Sequence, residues 1–522
     1  MPAQLPPSIF NDVIGPVMRG PSSSHSAASV RIGRMVRDLG GGLPERVLFE
    51  FDTQGSLATT HESQGSDMGL FGGLLGWEAD DPRLADSAAA LAAAGTSVEI
   101  RCLELRDPHP NTYRVTIWRG TRMHRLTALS VGGGMVEVVA VDGAPVQLHG
   151  DYDATVLDVQ PGTEAAVARL LQDKASVVQA PPGTGIVVAC ASEPLPQATL
   201  AQVPGLRGVR TISAVLPVRS RPGLTVPFLH AGQLAAHGDL DRQPLSDFAL
   251  QYECARGGID EAAVLDRMRS IRAIVAQGVA AGLAGTEYRD RILPRQSHRF
   301  AEQLAAGKLL DCGLLNRAIL CVTALMEVKS SMGVFVAAPT AGSCGTFPGT
   351  VHAAAELLQA GEEQVLRAML AAGLVGVFVA TRSSFAAEVG GCQAETGAGA
   401  AMAAAALVEL MGGSAAASLS AASHAIQNVL GLICDPVANR VEAPCLGRNI
   451  AGAANAIACA NMALSGYDHL IPLDEVLDAH REVSERMARE LRCTALGGLS
   501  VTPTSKAIEQ RLCGSGGCGS CG

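Results

Sequence analysis

Three cysteines stand where the local sequence opposes helix and where thiols from separate segments can meet. Cys392 lies in Glu388-Val-Gly-Gly-Cys-Gln-Ala-Glu-Thr-Gly397, Cys434 opens Cys434-Asp-Pro-Val437, and Cys445 closes Val441-Glu-Ala-Pro-Cys445. Pro436 and Pro444 each remove a backbone donor and restrict the residue before them, while Gly390 and Gly391 admit conformations that other residues avoid. All three thiols therefore fall at breaks between helices. Three thiolates converging from separate loops can hold three irons of a [4Fe–4S] cluster and leave the fourth iron open. Three buried thiols in tight turns fit the same local pattern, because intervals of 42 and 11 residues follow no known spacing rule.

Other segments carry weaker signals. Cys513, Cys518 and Cys521 make C-x₄-C-x₂-C, the first part of a ferredoxin pattern, but no fourth cysteine follows. A reactive Gly-rich tail explains them as well, and such a tail can also lend a fourth ligand to another cluster. Gly20-Pro-Ser-Ser-Ser-His-Ser26 supplies Ser22, Ser23, Ser24 and His25 just before a helical run. Hydroxyls and N–H groups there can bind a carboxylate, or simply cap the helix. Ala337-Ala-Pro-Thr-Ala-Gly-Ser-Cys-Gly345 follows a short strand-like run and offers the N–H groups of Thr340, Ala341, Gly342 and Ser343 with two hydroxyls. It is not a phosphate loop, since no Gly-Lys-Ser/Thr follows. Lys329, in Val328-Lys-Ser-Ser-Met332, is the one tempting lysine for a Schiff base with pyridoxal phosphate (PLP).

The elements that position these residues change along the chain. Residues 1–150 alternate strand-like stretches (Arg46–Thr53, Ser97–Leu105, Thr112–Trp118, Met135–Val141) with helical ones (Ser26–Leu39, Asp86–Ala94), which predicts an α+β domain. Residues 151–218 read as a small ACT-like α/β unit, and 219–245 as a Pro/Gly-containing linker. From 246 to 510 the pattern is helix after helix, a mostly all-α domain with its Gly, Pro, Ser and Cys on the interruptions. Residues 511–522 are a flexible Cys/Gly tail by composition.

Composition bounds the function. A chain of 522 residues, 48% hydrophobic, predicts two or three domains with large cores. Aromatic residues are only 3% against 58 glycines, so helices should pack closely through small side chains. A net charge of −10 argues against nucleic acid or a membrane surface as partner. The start lacks a signal-peptide pattern, and the apolar runs Ala371–Ala380 and Ala398–Val408 are short for a bilayer. A cytoplasmic enzyme with a small-molecule substrate is the expectation, and 14 cysteines are then buried thiols or metal ligands rather than disulfides.

Taken together, these segments resemble the iron–sulfur L-serine dehydratases in the form that fuses β-chain and α-chain regions. GPSSSHS, Gly65-Ser-Asp-Met-Gly-Leu-Phe-Gly-Gly-Leu-Leu-Gly76, His109-Pro-Asn-Thr112 and Gly132-Gly-Gly134 look like the β region. AAPTAGSCG, GCQAE, CDPVANRVEAPCLGRN and Thr494-Ala-Leu-Gly-Gly-Leu-Ser-Val-Thr-Pro-Thr504 look like the α region. The resemblance implies Cys392, Cys434 and Cys445 as ligands of a [4Fe–4S] cluster, with no PLP. It implies an all-α catalytic domain over an α+β domain similar to one in some phosphoglycerate dehydrogenases, with the active site between them. Cys521, or else Cys518, is the closest match to a C-terminal cysteine that caps the open iron in some relatives. A homodimer follows by analogy.

The implied reaction removes water from L-serine, and the aminoacrylate formed tautomerises and hydrolyses to pyruvate and ammonia. GPSSSHS and APTAGSC would hold the carboxylate and ammonium, and Arg448 and Asn449 would support the ligands or touch the substrate. One departure matters. The family shows Gly-His-Gly-Thr-Asp where this chain has Ser63-Gln-Gly-Ser-Asp67, so Gln64, beside Ser66 and Asp67, replaces a histidine and cannot serve as base. His25 is the first alternative base and His61 the second. Rival readings are the same chemistry on threonine, cysteine or another β-substituted amino acid, a PLP dehydratase built on Lys329, and a cluster-bearing or amino-acid-binding sensor.

Overall fold

Val47, Phe49 and Phe51 alternate along the strand Arg46–Asp52 and all are buried, so the strand turns one apolar face to a core. The computed structural model describes residues 5–514 except 222 and 289, and the chain divides into two units, 24–224 and 1–23 with 225–522. Each is taken by itself below.

In the first unit a six-stranded sheet runs in the order Ser97–Leu103, Arg46–Asp52, Thr112–Arg119, Arg122–Gly132, Met135–Val141, Ala144–Leu148. Only the first pair is parallel. The four strands expected from alternation are present. Arg122–Gly132 was not legible because its first half carries Arg122, His124 and Arg125, and buried alternation begins only at Leu126. The helix Ser66–Leu74 was likewise hidden, since its three glycines disfavour helix. Tertiary contact overrides that propensity. A Cβ on Gly69 would lie 2.3 Å from the Ser26 carbonyl oxygen, and one on Gly73 2.2 Å from that of Val30. The glycines let Ser66–Leu74 lie directly on the backbone of Ala28–Leu39.

A four-stranded antiparallel sheet in the same unit has the order Leu206–Ile212, Asp153–Val159, Ile186–Ala191, Val177–Gln179. With helices Glu164–Leu171 and Gln197–Leu200 it is a β-α-β-β-α-β arrangement. Val156, Val188 and Ile212 on one face join the core of the larger sheet, while Leu157, Val159 and Val187 on the other pack with Val167 and Leu171. The two sheets share a core, so residue 150 is not a boundary between compact units.

The second unit is helical, as expected, but it also takes the chain's start. Ser8 Oγ donates to Glu253 Oε1 at 2.6 Å and the Ile9 amide to Oε2 at 2.8 Å. Ile9 and Val13 sit against Gly373 and Gly376 of the helix Glu362–Arg382, where a Cβ would collide with them. Residues 5–23 therefore belong here and not with the α+β domain. Glu362–Arg382 is longer than the apolar run within it and is long and apolar enough to cross a bilayer, yet most of it is buried inside the unit. It packs beside Ala398–Leu410, whose every residue is buried and whose alanines allow close approach. The last helix, Pro503–Gly514, extends into residues that composition assigned to the tail. Cys518 and Cys521 lie outside the described residues.

Candidate active site

Each cysteine named above is brought to its place by a different local device. Cys392 follows the short helix Ala387–Gly390, and Gly391 turns the chain with φ +72, close enough to the Leu432 carbonyl oxygen that a Cβ would lie 2.8 Å away. The Gln393 amide then donates to Leu432 O at 3.0 Å. The Cys434 amide donates to Leu491 O at 2.8 Å. Cys445 is the first residue of the helix Cys445–Leu464 rather than part of a break, with Pro444 preceding it. All three thiols are buried, and so is Cys493, which shares one apolar cluster with Cys392 and Cys434.

Cys392 Sγ, Cys434 Sγ and a Glu395 carboxylate oxygen lie within 4.8 Å of one another. Cys434 hydrogen-bonds with both Cys392 and Cys493. The bond from Cys434, opposed by burial and aided by Arg448, pulls the Cys392 thiol below its ordinary value, and the same bond pushes Cys434 well above it. Cys392 is thus the more readily ionised thiol of the pair. Burial, followed by the charge of Cys392, raises Cys445.

Helical spacing from Cys445 supplies the support. Arg448, one turn on, donates from Nη1 to Cys392 Sγ at 3.3 Å and to Ile433 O at 2.9 Å, and from Nη2 to Asp435 Oδ1 at 2.5 Å. Asp435 Oδ2 accepts from the Leu499 amide at 2.7 Å, and Gly498 is where a side chain would strike that carboxylate. The stretch Thr494–Thr504 therefore buttresses Asp435 and Pro436, next to Cys434.

Asn449 uses its amide on the protein. Its Oδ1 accepts from the Gly345 and Thr346 amides at 3.2 and 2.9 Å, and its Nδ2 donates to Gly342 O at 2.7 Å and Cys445 O at 2.8 Å. These bonds hold the loop Thr340–Gly345, the supporting role of the two expected for Asn449. The loop stands over Glu395: Thr340 Oγ1 donates to Glu395 Oε1 at 2.6 Å, Ser343 Oγ lies 3.1 Å from Thr340 Oγ1, and a Cβ on Gly342 would meet the carboxylate at 2.6 Å. The Ala341 amide donates to Ser23 Oγ at 3.2 Å. Of the N–H groups expected to receive a carboxylate, those of Thr340 and Ser343 are thus spent within the loop and that of Ala341 on Ser23.

Glu395, Lys329 and Cys493 were not singled out as members of this site. Burial, then the charge of Cys392, raises the Glu395 carboxyl to about 8. Lys329 is buried, its Nζ donates to the Val441 carbonyl, and its charge acts on Cys344, Glu395 and Cys445. Glu395 could have been noticed in GCQAE, three residues past Cys392; Cys493 had no local signal.

The remaining candidates divide at Ser23/Ser24. Ser22 and Ser23 are buried in the helical unit. Ser24 and His25 belong to the other unit, where the chain passes through a wide helical turn straight into Ala28–Leu39. His25 Nε2 is 2.7 Å from Thr60 Oγ1, and burial followed by the charge of His61 lowers its pKa to about 3. His61 Nδ1 lies 2.8 Å from Asp67 Oδ1. Burial lowers His61, but Asp67 and Glu62 more than offset this and its pKa is raised. Gln64 is buried, and Ser66 Oγ meets Tyr113 Oη at 2.9 Å. Asn111, in His109-Pro-Asn-Thr112, is fully buried with no described partner for its side-chain amide.

The thiols suit an iron–sulfur group: soft donors, buried, with two cations beside them to balance thiolate charge. Comparison with known proteins agrees with the motifs. The family described as Serine dehydratase alpha chain matches residues 168–500. Over 251 residues the chain is 39% identical to the "Probable L-serine dehydratase, alpha chain" of Bacillus subtilis, covering 48% of this chain and 84% of that protein. It is 39% identical over 166 residues to the beta chain of the same organism, covering 31% and 74%. The "L-serine dehydratase" of Mycobacterium tuberculosis is 32% identical over 298 residues, covering 55% and 64%. With more than half of its length matched, this chain belongs to the serine dehydratase alpha-chain family.

Proposed function

We propose that the protein is an L-serine dehydratase that converts L-serine to pyruvate and ammonia, and that Cys392, Cys434 and Cys445 hold a [4Fe–4S] cluster for it. The observation that carries the reading is the pairing of buried Cys392 and Cys434 beside Arg448, with buried Cys445 near enough to feel the charge of Cys392, in a chain whose relatives bear that name. When bound, a cluster with an open iron supplies a Lewis acid for the β-hydroxyl and carboxylate of serine.

The chain's own residues do the rest. Arg448 holds the Cys392 sulfur and the loop at Ile433 in one place, and Asn449 fixes the loop on which Thr340, Ala341, Gly342 and Ser343 present their hydroxyls and backbone. Buried Thr340 narrows that wall against water, and half-buried Glu395 beside it offers a polar contact to an amino-acid head group. We assign the α-proton to His61 rather than His25. Asp67 orients the His61 ring and stabilises its protonated form, whereas His25 is too deeply buried to hold a proton near neutral pH. Loss of the α-proton and of the β-hydroxyl, which leaves as water, gives aminoacrylate; its imine tautomer takes up one water and releases ammonia. Gln64, where the family has histidine, favours a second reading in which another β-hydroxy amino acid is the better substrate.

The β-α-β-β-α-β unit at 153–212 supports an ACT-like effector module, and a homodimer is the assembly expected with it. The test is pyruvate release from L-serine by anaerobically reconstituted protein, beside Cys392→Ala, Cys434→Ala and Cys445→Ala. Pyruvate that vanishes with each substitution and in air supports the assignment. Iron without serine turnover points to the other β-hydroxy amino acids, and neither iron nor pyruvate overturns the reading.

A further inference from the structure

A second group of metal-type ligands lies on two helices away from the cysteines above. The helices Leu314–Ser330 and Thr346–Leu358 cross where Gly349 meets Val322: a Cβ on Gly349 would sit 2.9 Å from the Val322 nitrogen and 3.0 Å from its Cα. Residues 352 and 356 are three and seven positions past Gly349, so they share its face. Cys321 neighbours Val322 on the facing helix. The close crossing therefore carries Cys321, His352 and Glu356 together, with one ligand atom of each within 4.8 Å of the others.

We propose that Cys321, His352 and Glu356 form a site for one divalent zinc-type ion, with water as the fourth ligand. A tetrahedral zinc with bonds of about 2.0–2.3 Å spaces its ligand atoms by roughly 3.3–3.7 Å. His352 Nε2 and Glu356 Oε1 already stand 3.3 Å apart. One thiolate, one imidazole and one carboxylate suit a borderline-soft cation, and their charge of minus two cancels the ion's own. Burial, opposed by Glu356 and reinforced by Arg272, lowers His352. Arg272 itself is answered by Glu362 at 3.4 Å. Burial pushes the Cys321 thiol up to about 12, so an ion bound there displaces its proton. Water has a route: Glu356 lines two cavities, of about 360 and 450 Å³, one also lined by His352 and the other by Cys321. The ion would tie together two helices that both reach the candidate active site, one carrying Lys329 in its last turn and the other beginning at Thr346, which Asn449 holds.

The test uses the full chain, cluster-loaded under anaerobic conditions, with Cys513→Ser, Cys518→Ser and Cys521→Ser to remove tail thiols. After equilibration with zinc sulfate and dialysis, zinc is counted by mass spectrometry and its ligands are read by X-ray absorption at the zinc edge. The proposal expects one zinc per chain with a single sulfur and three nitrogen or oxygen neighbours. Cys321→Ser should remove the sulfur signal. His352→Ala and Glu356→Gln should each lose retained zinc, and Glu356 is exposed, so its replacement leaves the fold intact. Zinc retained equally by these variants, a sulfur-rich shell untouched by His352→Ala, or no retained zinc would each overturn it. None of these readings depends on serine turnover.

Discussion

Arg448 Nη1 donates to Cys392 Sγ at 3.3 Å while its Nη2 holds Asp435 at 2.5 Å, so one guanidinium joins the loop of the first candidate ligand to the residue after the second. The planar fork of arginine makes this possible; a lysine ammonium offers no such pair of directions. Replacing Arg448 with Met leaves Asp435 buried without its cation, and we expect a stability loss of about 3 kcal/mol. Iron bound per chain should fall with it. Unfolding midpoints and iron analysis check both, and Arg448→Lys should recover stability better than iron content.

The pair His61–Asp67 fixes the direction of a pH effect. Asp67 raises the His61 pKa, so the unprotonated ring needed to accept a proton appears only as pH rises through that raised value. Asp67→Asn removes the raising influence and should move the acid limb of kcat/KM to lower pH, while His61→Gln should abolish the limb with most of the activity. A pH–rate profile decides it; an unmoved limb in Asp67→Asn would remove His61 from the mechanism.

Close helix contact in the smaller unit is measurable by a single methyl group. Gly69→Ala and Gly73→Ala place a Cβ 2.3 Å from the Ser26 carbonyl oxygen, in the turn that leads into the facing helix, and 2.2 Å from that of Val30 within it. Each should cost about 2–3 kcal/mol through overpacking, read as a lower thermal midpoint. Gly95→Ala, where a Cβ meets no neighbour within 4 Å but φ is +86, should cost less.

Glu253 gives the helical unit a pH-dependent stability of the opposite kind from a surface carboxylate. Burial raises it to about 7 despite bonds from Ser8 and Ile9. Its folded value lies above the unfolded one, so the fold retains a proton that the unfolded chain releases. This contribution is complete below the ordinary carboxyl range and is lost as pH rises through about 7. Glu253→Gln, neutral at every pH, should flatten the fall in unfolding midpoint over that window.

The sequence by itself determined the change from alternating strands to successive helices and the motifs of the family. Alternation marked Arg46–Asp52 and Met135–Val141, and prolines and glycines marked the breaks that hold Cys392 and Cys434 and the helix start at Cys445, because these signals act over a few residues. Only tertiary structure decided which side chains meet. Residues 5–23 join the helical unit through a contact with Glu253 across more than two hundred residues, and the glycine-rich Ser66–Leu74 is a helix because the facing helix accepts it. Cys493 reaches Cys434, Glu395 lies under Thr340, and Asn449 spends its amide on a loop. These pairings come from long-range packing, whose energy is set by the shape of the whole core and leaves no periodic trace in the chain.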